Sequence, residues 1–183
     1  MSEEQVIRHC APTLAGLKTG SMFGASYPDA LSMREDLRAW NLRLAGKGVC
    51  FLPLRFQDCR ALIYVYRPSR LRGDLDDQAA LELLGRCGYR AGTPARCLRQ
   101  LRCRMAQGGD FPHEVGLFLG YPPEDVKGFM DCRAKGFRCA GCWKVYGDPQ
   151  EAQKRFAAYK KCTAVYAAQH AKGTPVERLT VAG

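Results

Sequence analysis

VCFLPLRFQDCRALIYVY, residues 49–66, is the stretch whose reading decides the fold. Val49–Phe56 and Cys59–Tyr66 are two extended runs, and Gln57-Asp58 between them has the length of a tight hairpin connection. Leu62-Ile63-Tyr64-Val65-Tyr66 is apolar or aromatic at every position. A strand with one wet face alternates, so an unbroken run predicts a central strand covered on both faces. Pro53 cannot donate to a ladder, which pushes the first strand to an edge or into a bulge.

Outward from the hairpin the apolar period becomes helical. Leu31, Met33, Leu37, Trp40 and Leu44 predict a helix over 29–45, stopped by Gly46 and Gly48. Beyond the hairpin Arg67, Arg70 and Arg72 cluster at its exit, and a helix is expected over 74–87. Asp74, Asp76 and Asp77 would lie in its positive first turn, with Leu81, Leu84 and Cys87 facing inward. Pro94 starts another helix over 94–107, buried along Leu98, Leu101 and Met105. Asp148-Pro149 starts the last, 149–171, on which Ala152, Phe156, Tyr159, Cys162 and Tyr166 recur as a core stripe. Near the N-terminus a short helix over 3–10 is expected to break at Pro12, leaving 13–18 as a compact loop. Trp143-Lys144-Val145-Tyr146 reads as a third strand, and 176–181 as a short edge strand. No repeat, low-complexity segment or linker divides the chain. The expectation is one α+β domain over 1–183. Its small antiparallel or mixed sheet would be the hairpin 49–66 plus strand 140–146, covered by several helices.

FPHEVGLFLGYPPEDVKGF, residues 111–129, carries the densest chemistry. Pro112 suits a helix start, Glu114 would favour the positive first turn, and Gly120 with Pro122-Pro123 stops the segment before a second acidic start at Glu124-Asp125. Two short helices would leave His113 and Glu114 at a shared mouth. Together with His9–Lys18 (HCAPTLAGLK), Cys142–Asp148 (CWKVYGD) and Phe156–Tyr166 (FAAYKKCTAVY), this stretch resembles a bacterial family, domain of unknown function number 3793. The resemblance spans nearly the whole chain. It implies a bacterial cytoplasmic protein with no assigned activity, in a setting of iron and flavodoxin-related physiology.

With 183 residues, 46% hydrophobic and 25% charged, the composition is that of a globular protein with a real core. No apolar run approaches a bilayer span, and MSEEQVIRHC is too acidic and polar for a signal peptide, so a cytoplasmic protein is expected. Ten cysteines without an export signal are then reduced thiols, metal ligands or redox groups rather than a disulfide frame. A net charge of +10 favours anionic partners: an anionic small molecule, an acidic redox protein such as a flavodoxin, or nucleic acid, and no membrane.

Three readings of the chemistry follow. In the first, the protein binds a ligand or a metal in redox or iron physiology. Its site is built from His9, Cys10, Lys18, His113 and Glu114, with Cys132, Cys139 and Cys142 as ligands for zinc or iron. Cys139-Ala140-Gly141-Cys142 runs into a strand rather than a helix, which argues against a thioredoxin-type site. The second reading is a basic nucleic-acid-binding module using Arg96, Arg99, Arg102 and Arg104 on one helix. It lacks a Walker loop, paired zinc knuckles or an RNP-type motif. The third is an enzyme with Cys10 as nucleophile, His113 as base and Glu114 as orienter. The first and third both require the loop 9–18 to lie against the segment that starts at Pro112.

Overall fold

In the computed structural model, which describes residues 1–90, 92–107 and 110–183, the hairpin forms the heart of a three-stranded antiparallel sheet. Strand β1 is Gly20–Ser26, β2 is Cys50–Gln57 and β3 is Arg60–Tyr66, in the order β1-β3-β2. Central β3 points Ala61, Ile63 and Val65 to one face and Leu62, Tyr64 and Tyr66 to the other. Both sets are apolar, so the strand cannot leave either face to water, and each supports its own core.

Face one is covered by α1 (Glu3–Leu14) and α2 (Ala30–Leu44), with Cys162 of α8 (Pro149–Ala171). Face two is covered by α3 (Pro68–Leu75), α4 (Gln78–Arg86), α5 (Pro94–Ala106), α6 (Val115–Phe118) and α7 (Pro123–Asp131). The protein is therefore an α+β domain with a sheet between two helical layers. Among the described residues no helix is long and apolar enough to cross a membrane.

Pro53 does what its chemistry requires. The pairing of β2 with β3 slips between Pro53 and Arg55, so Leu54 is an extra residue on the edge strand. The bulge changes the side-chain parity: Phe51 and Phe56 both serve face one, while Leu52 and Leu54 serve face two. The connection is Asp58-Cys59, one residue later than expected, with φ of 50° and 58°. Those are the left-handed angles of the turn that matches strand twist.

Several boundaries differ from expectation for local reasons. Helix α1 runs through Pro12 to Leu14, because a proline in the last turn forfeits a single hydrogen bond and its own carbonyl still accepts from the amides of Leu17 and Lys18. Strand β1 falls between the expected loop 13–18 and the expected helix 29–45, its run GSMFGAS carrying few strand formers. Pairing with β3 makes it a strand. Gly20 is required there, since a Cβ would strike the Tyr64 ring and lie 2.9 Å from the Phe118 carbonyl, which accepts the Tyr64 hydroxyl. The expected helix over 74–87 is two, because Asp77 caps α4 through the amides of Ala79 and Ala80. Segment 140–146 does not join the sheet. It makes its own ribbon, β4 (Cys139–Ala140) with β5 (Lys144–Val145), packed through Trp143 and Val145 on Ala152 and Tyr159 of α8. The expected edge strand 176–181 begins as a helical turn, α9 (Val176–Leu179).

One polar group ties the layers on face one. Arg67, 2% exposed, sends Nε to the Thr13 carbonyl at 2.6 Å and Nη2 to those of Leu14 and Val181 at 2.6 and 2.7 Å. Its Nη1 reaches the Lys47 carbonyl at 3.2 Å. The guanidinium thus meets the negative C-terminal end of α1, where the last carbonyls lack intrahelical donors.

Candidate functional site

The opposed faces of the sheet decide which expected groups meet. Cys10 is fully buried in the core of face one, and burial pushes its thiol well above the ordinary range. His113 borders a cavity walled by Met22, Val115 and Leu119, which belong to face two. Cys10 is thus packed in one core while His113 opens on a cavity against the other, and Lys18 is the expected group whose charge reaches both Cys10 and the Cys142 of that cavity.

Glu114 is corrected. The turn before α6 points it inward, where it is 2% exposed rather than at a mouth beside His113. It accepts from Arg104 Nε at 2.6 Å and the Tyr89 hydroxyl at 3.1 Å. Burial and this carboxylate together raise the Tyr89 pKa. Arg104 is thereby removed from the expected basic surface, its Nη1 donating to the Cys87 carbonyl. The group is a satisfied, half-buried ion pair, its carboxylate inside and its guanidinium at the surface, that fastens α5 under α6. His9, on the outer side of α1, lies flat on Phe23 with ring centroids 4.9 Å apart.

Of the expected metal ligands, Cys132 and Cys142 are exposed and Cys139 is half-buried beside the Trp143 cluster. They are not gathered. Among the described residues no three His, Cys, Asp or Glu side chains come together to hold an ion. All ten cysteines are free thiols. Arg96, Arg99 and Arg102 are exposed on α5, as the helical pattern predicts.

What the structure does bring together is His113, Cys142 and, behind one ring, Lys18. The ribbon is docked by Asp125 near the start of α7, a buried carboxylate. It takes Trp143 Nε1 at 2.6 Å and the amides of Tyr146 and Gly147 at 2.7 and 2.8 Å. Trp143 then stacks on Tyr121 at 4.7 Å and meets the edge of Phe156 at 4.6 Å. Beyond α7 the chain turns through Arg133 and Ala134, at φ of 47° and 63°, and Lys144 Nζ donates to the Ala134 carbonyl at 2.9 Å. Left-handed angles at two successive non-glycine residues carry strain. The ammonium holds that turn, 4.8 Å from the Phe137 ring centre and 5.8 Å from that of Phe129.

Between α6, α7, the ribbon and Met22 of β1 lies a cavity of about 230 Å3. Phe111, Tyr121, Phe129 and Trp143 give it aromatic walls; His113, Cys142 and Lys144 are its polar groups besides the consumed Asp125. His113 stands edge-on to Phe129 at 4.8 Å, and both His113 and Phe111 are exposed at the mouth. Lys18 Nζ sits 5.2 Å from the Tyr121 ring centre. Burial lowers its pKa, while the nearby Cys142 and Cys10 thiols act in the opposite direction. Cys142 is itself raised by desolvation and held back by Lys18. Burial pushes the Tyr121 hydroxyl up to about 12. A thiol shifted upward and an imidazole engaged with aromatic rings, lining one cavity, are poor nucleophilic machinery. Aromatic walls with a basic rim suit recognition of a flat, apolar, anionic molecule.

Sequence reasoning named His113 and Cys142 but missed Phe111, Tyr121, Phe129 and Lys144 as lining. An available signal was Phe111, an aromatic outside any core period. No curated protein and no solved structure matches this chain. Residues 6–180 match the family described as a protein of unknown function (DUF3793), and the chain belongs to that family.

Proposed function

We propose that the protein is a ligand-binding protein that takes a small planar, apolar anion into the cavity between α6, α7 and the ribbon. The observation that carries this reading is an aromatic-walled space rimmed by Lys144 and His113, whose single lining carboxylate, Asp125, is saturated by three donors. A cavity of about 150 Å3 accepts benzene. The roughly 230 Å3 here has room for one ring with a short charged substituent. Free thiols throughout support a reducing compartment, the cytoplasm. Zinc or iron on Cys132, Cys139 and Cys142 lacks support, because those thiols are not clustered. The redox and iron setting rests on the family resemblance alone.

The test is residue-resolved NMR titration with benzoate and its neutral analogue benzamide. A probe of roughly nine non-hydrogen atoms, at about 0.4–0.5 kcal/mol per atom, binds near 1 mM. Benzoate should shift the amides of Gly116, Val126, Phe129 and Lys144 saturably, and benzamide should bind several-fold more weakly. Lys144→Met should erase that preference. Equal binding of the two probes, or shifts confined to other surfaces, would overturn the proposal.

A further inference from the structure

The free edge of the sheet holds a second feature that the cavity does not use. Strand β2 is the outer strand on that side, with α2 above it and α5 below. Between them runs a groove of about 450 Å3, lined by Met33, Arg34, Pro53, Arg55, Phe56 and Arg102 among others, with no acidic side chain among the described residues that line it. The three arginines come from three different elements: Arg34 from α2, Arg55 from the bulge of β2 and Arg102 from α5. All three are exposed, and among the described residues none makes a hydrogen bond or ion pair. The positive track continues at both ends. Arg99 lies one turn from Arg102 and Arg38 one turn from Arg34, again exposed and unpaired, and α5 contains no acidic residue.

Three converging guanidinium groups with no counter-charge repel one another, and an isolated fold gains nothing from that placement. The groove is shaped against one occupant. Pro53, the slipped register and Arg55 blunt the strand edge, so a peptide adding as a fourth strand finds a broken ladder. A phosphodiester chain needs no ladder. It needs guanidinium groups spaced along a line and an apolar surface for bases, here the half-buried Phe56 ring. We propose that this groove binds the backbone of single-stranded nucleic acid, with Arg34, Arg55 and Arg102 as its phosphate contacts. This is independent of the cavity. It also relocates the basic surface expected from one helix, because Arg104 is consumed by Glu114 and the working set spans three elements.

The test is fluorescence anisotropy with a labelled oligothymidylate on the full chain, across a sodium chloride series. Three phosphate contacts on a single strand predict a slope of log K against log salt of about −2. Arg34→Glu, Arg55→Glu and Arg102→Glu combined should weaken binding by roughly tenfold or more at low salt. A control reverses Lys160, Lys161 and Lys172, exposed on and just after α8, and changes net charge equally. It should leave most of the binding intact. Equal loss in the control would assign binding to overall charge and overturn the groove. Binding of a polyglutamate probe as tightly as the oligonucleotide, or full displacement by pyrophosphate at matched ionic strength, would also overturn it, in favour of an acidic protein or a small phosphorylated ligand. If the triple reversal does not fold, the Arg→Gln set gives the same reading, with circular dichroism to show that the fold is kept.

Discussion

Replacing Arg67 tests the part of the fold that was least legible. Its guanidinium satisfies four backbone carbonyls from three separate segments, and among the described residues none of its hydrogen bonds goes to a carboxylate. In Arg67→Met the aliphatic stem is kept and the four bonds are lost. The Thr13 and Leu14 carbonyls keep other donors, the amides of Gly16 and Val181. Those of Val181 and Lys47 have Arg67 as their hydrogen-bond donor and are left bare. Each buried acceptor left unpaired costs about 1–3 kcal/mol. Both sites are partly buried and admit some water, so a net loss of about 2–4 kcal/mol is expected. Arg67→Lys should be no milder, because one ammonium cannot reproduce a planar fork aimed at four acceptors and remains a buried cation with fewer partners. Urea unfolding of the three proteins reads the difference as a shift in midpoint at unchanged slope. A loss below about 1 kcal/mol in both variants would refute the view that Arg67 pins α1, the 45–48 turn and the C-terminal segment together. A lysine variant close to wild type would refute the argument from fork geometry.

The remaining predictions concern the hairpin and one histidine. Cys59→Gly removes the steric cost of φ near 58° in the two-residue turn; it should raise stability by about 0.5–1 kcal/mol, seen as a thermal midpoint higher by about 1–4 °C. An unchanged or lower midpoint would mean that the entropy of the unfolded glycine chain outweighs relief of strain. His9 has a pKa below its ordinary value, first from burial against Phe23 and then from Arg8, so the folded chain binds fewer protons there than the unfolded chain. That contribution is intact above the ordinary histidine value and is lost as pH falls through it towards the lowered folded value. His9→Phe keeps the stacked ring and should lose less stability than wild type between about pH 7.5 and 5; equal losses would show that the histidine does not titrate differently on folding.

The hairpin was readable because two independent signals agreed, an unbroken apolar run for the central strand and a proline for the edge. Strand β1 was not, since Gly20-Ser21 and Gly24-Ala25-Ser26 carry no local preference for extension. It exists because the outer side of β3 would otherwise hold unpaired backbone groups in the core. The ribbon is an extreme of the same kind. Two residue pairs cannot hold a hairpin by themselves, and the donors on Asp125 come from its turn, through Trp143, and from Tyr146 and Gly147 just after β5. Chemistry-bearing letters were easier to find than their directions. Glu114 and His113 are adjacent, yet the turn sends the carboxylate to Arg104 and leaves the imidazole at the surface. Arg67 looked like one of three arginines at a strand exit, with nothing in the letters to mark it as buried.

The two buried polar anchors explain why stability and recognition fall in different places. Arg67 works on face one, beside a core that closes over Cys10 and the length of α1, and it collects carbonyls from parts of the chain far apart in sequence. Asp125 works at the rim of face two, holding a ribbon whose own cluster is four buried residues, Trp143, Val145, Ala152 and Tyr159. A unit with so little buried apolar area opens at lower cost than the sheet behind it. The cavity is built against that unit, with Trp143 and Lys144 as one wall and α6 and α7 as the other. An occupant touching both walls replaces solvent in the least secured part of the molecule. Binding there adds to the stability of the ribbon by mass action without engaging Arg67. The fold has placed its rigid polar clamp away from the aromatic pocket, and substitutions lining the pocket can alter ligand choice while the sheet and its first core remain as they are.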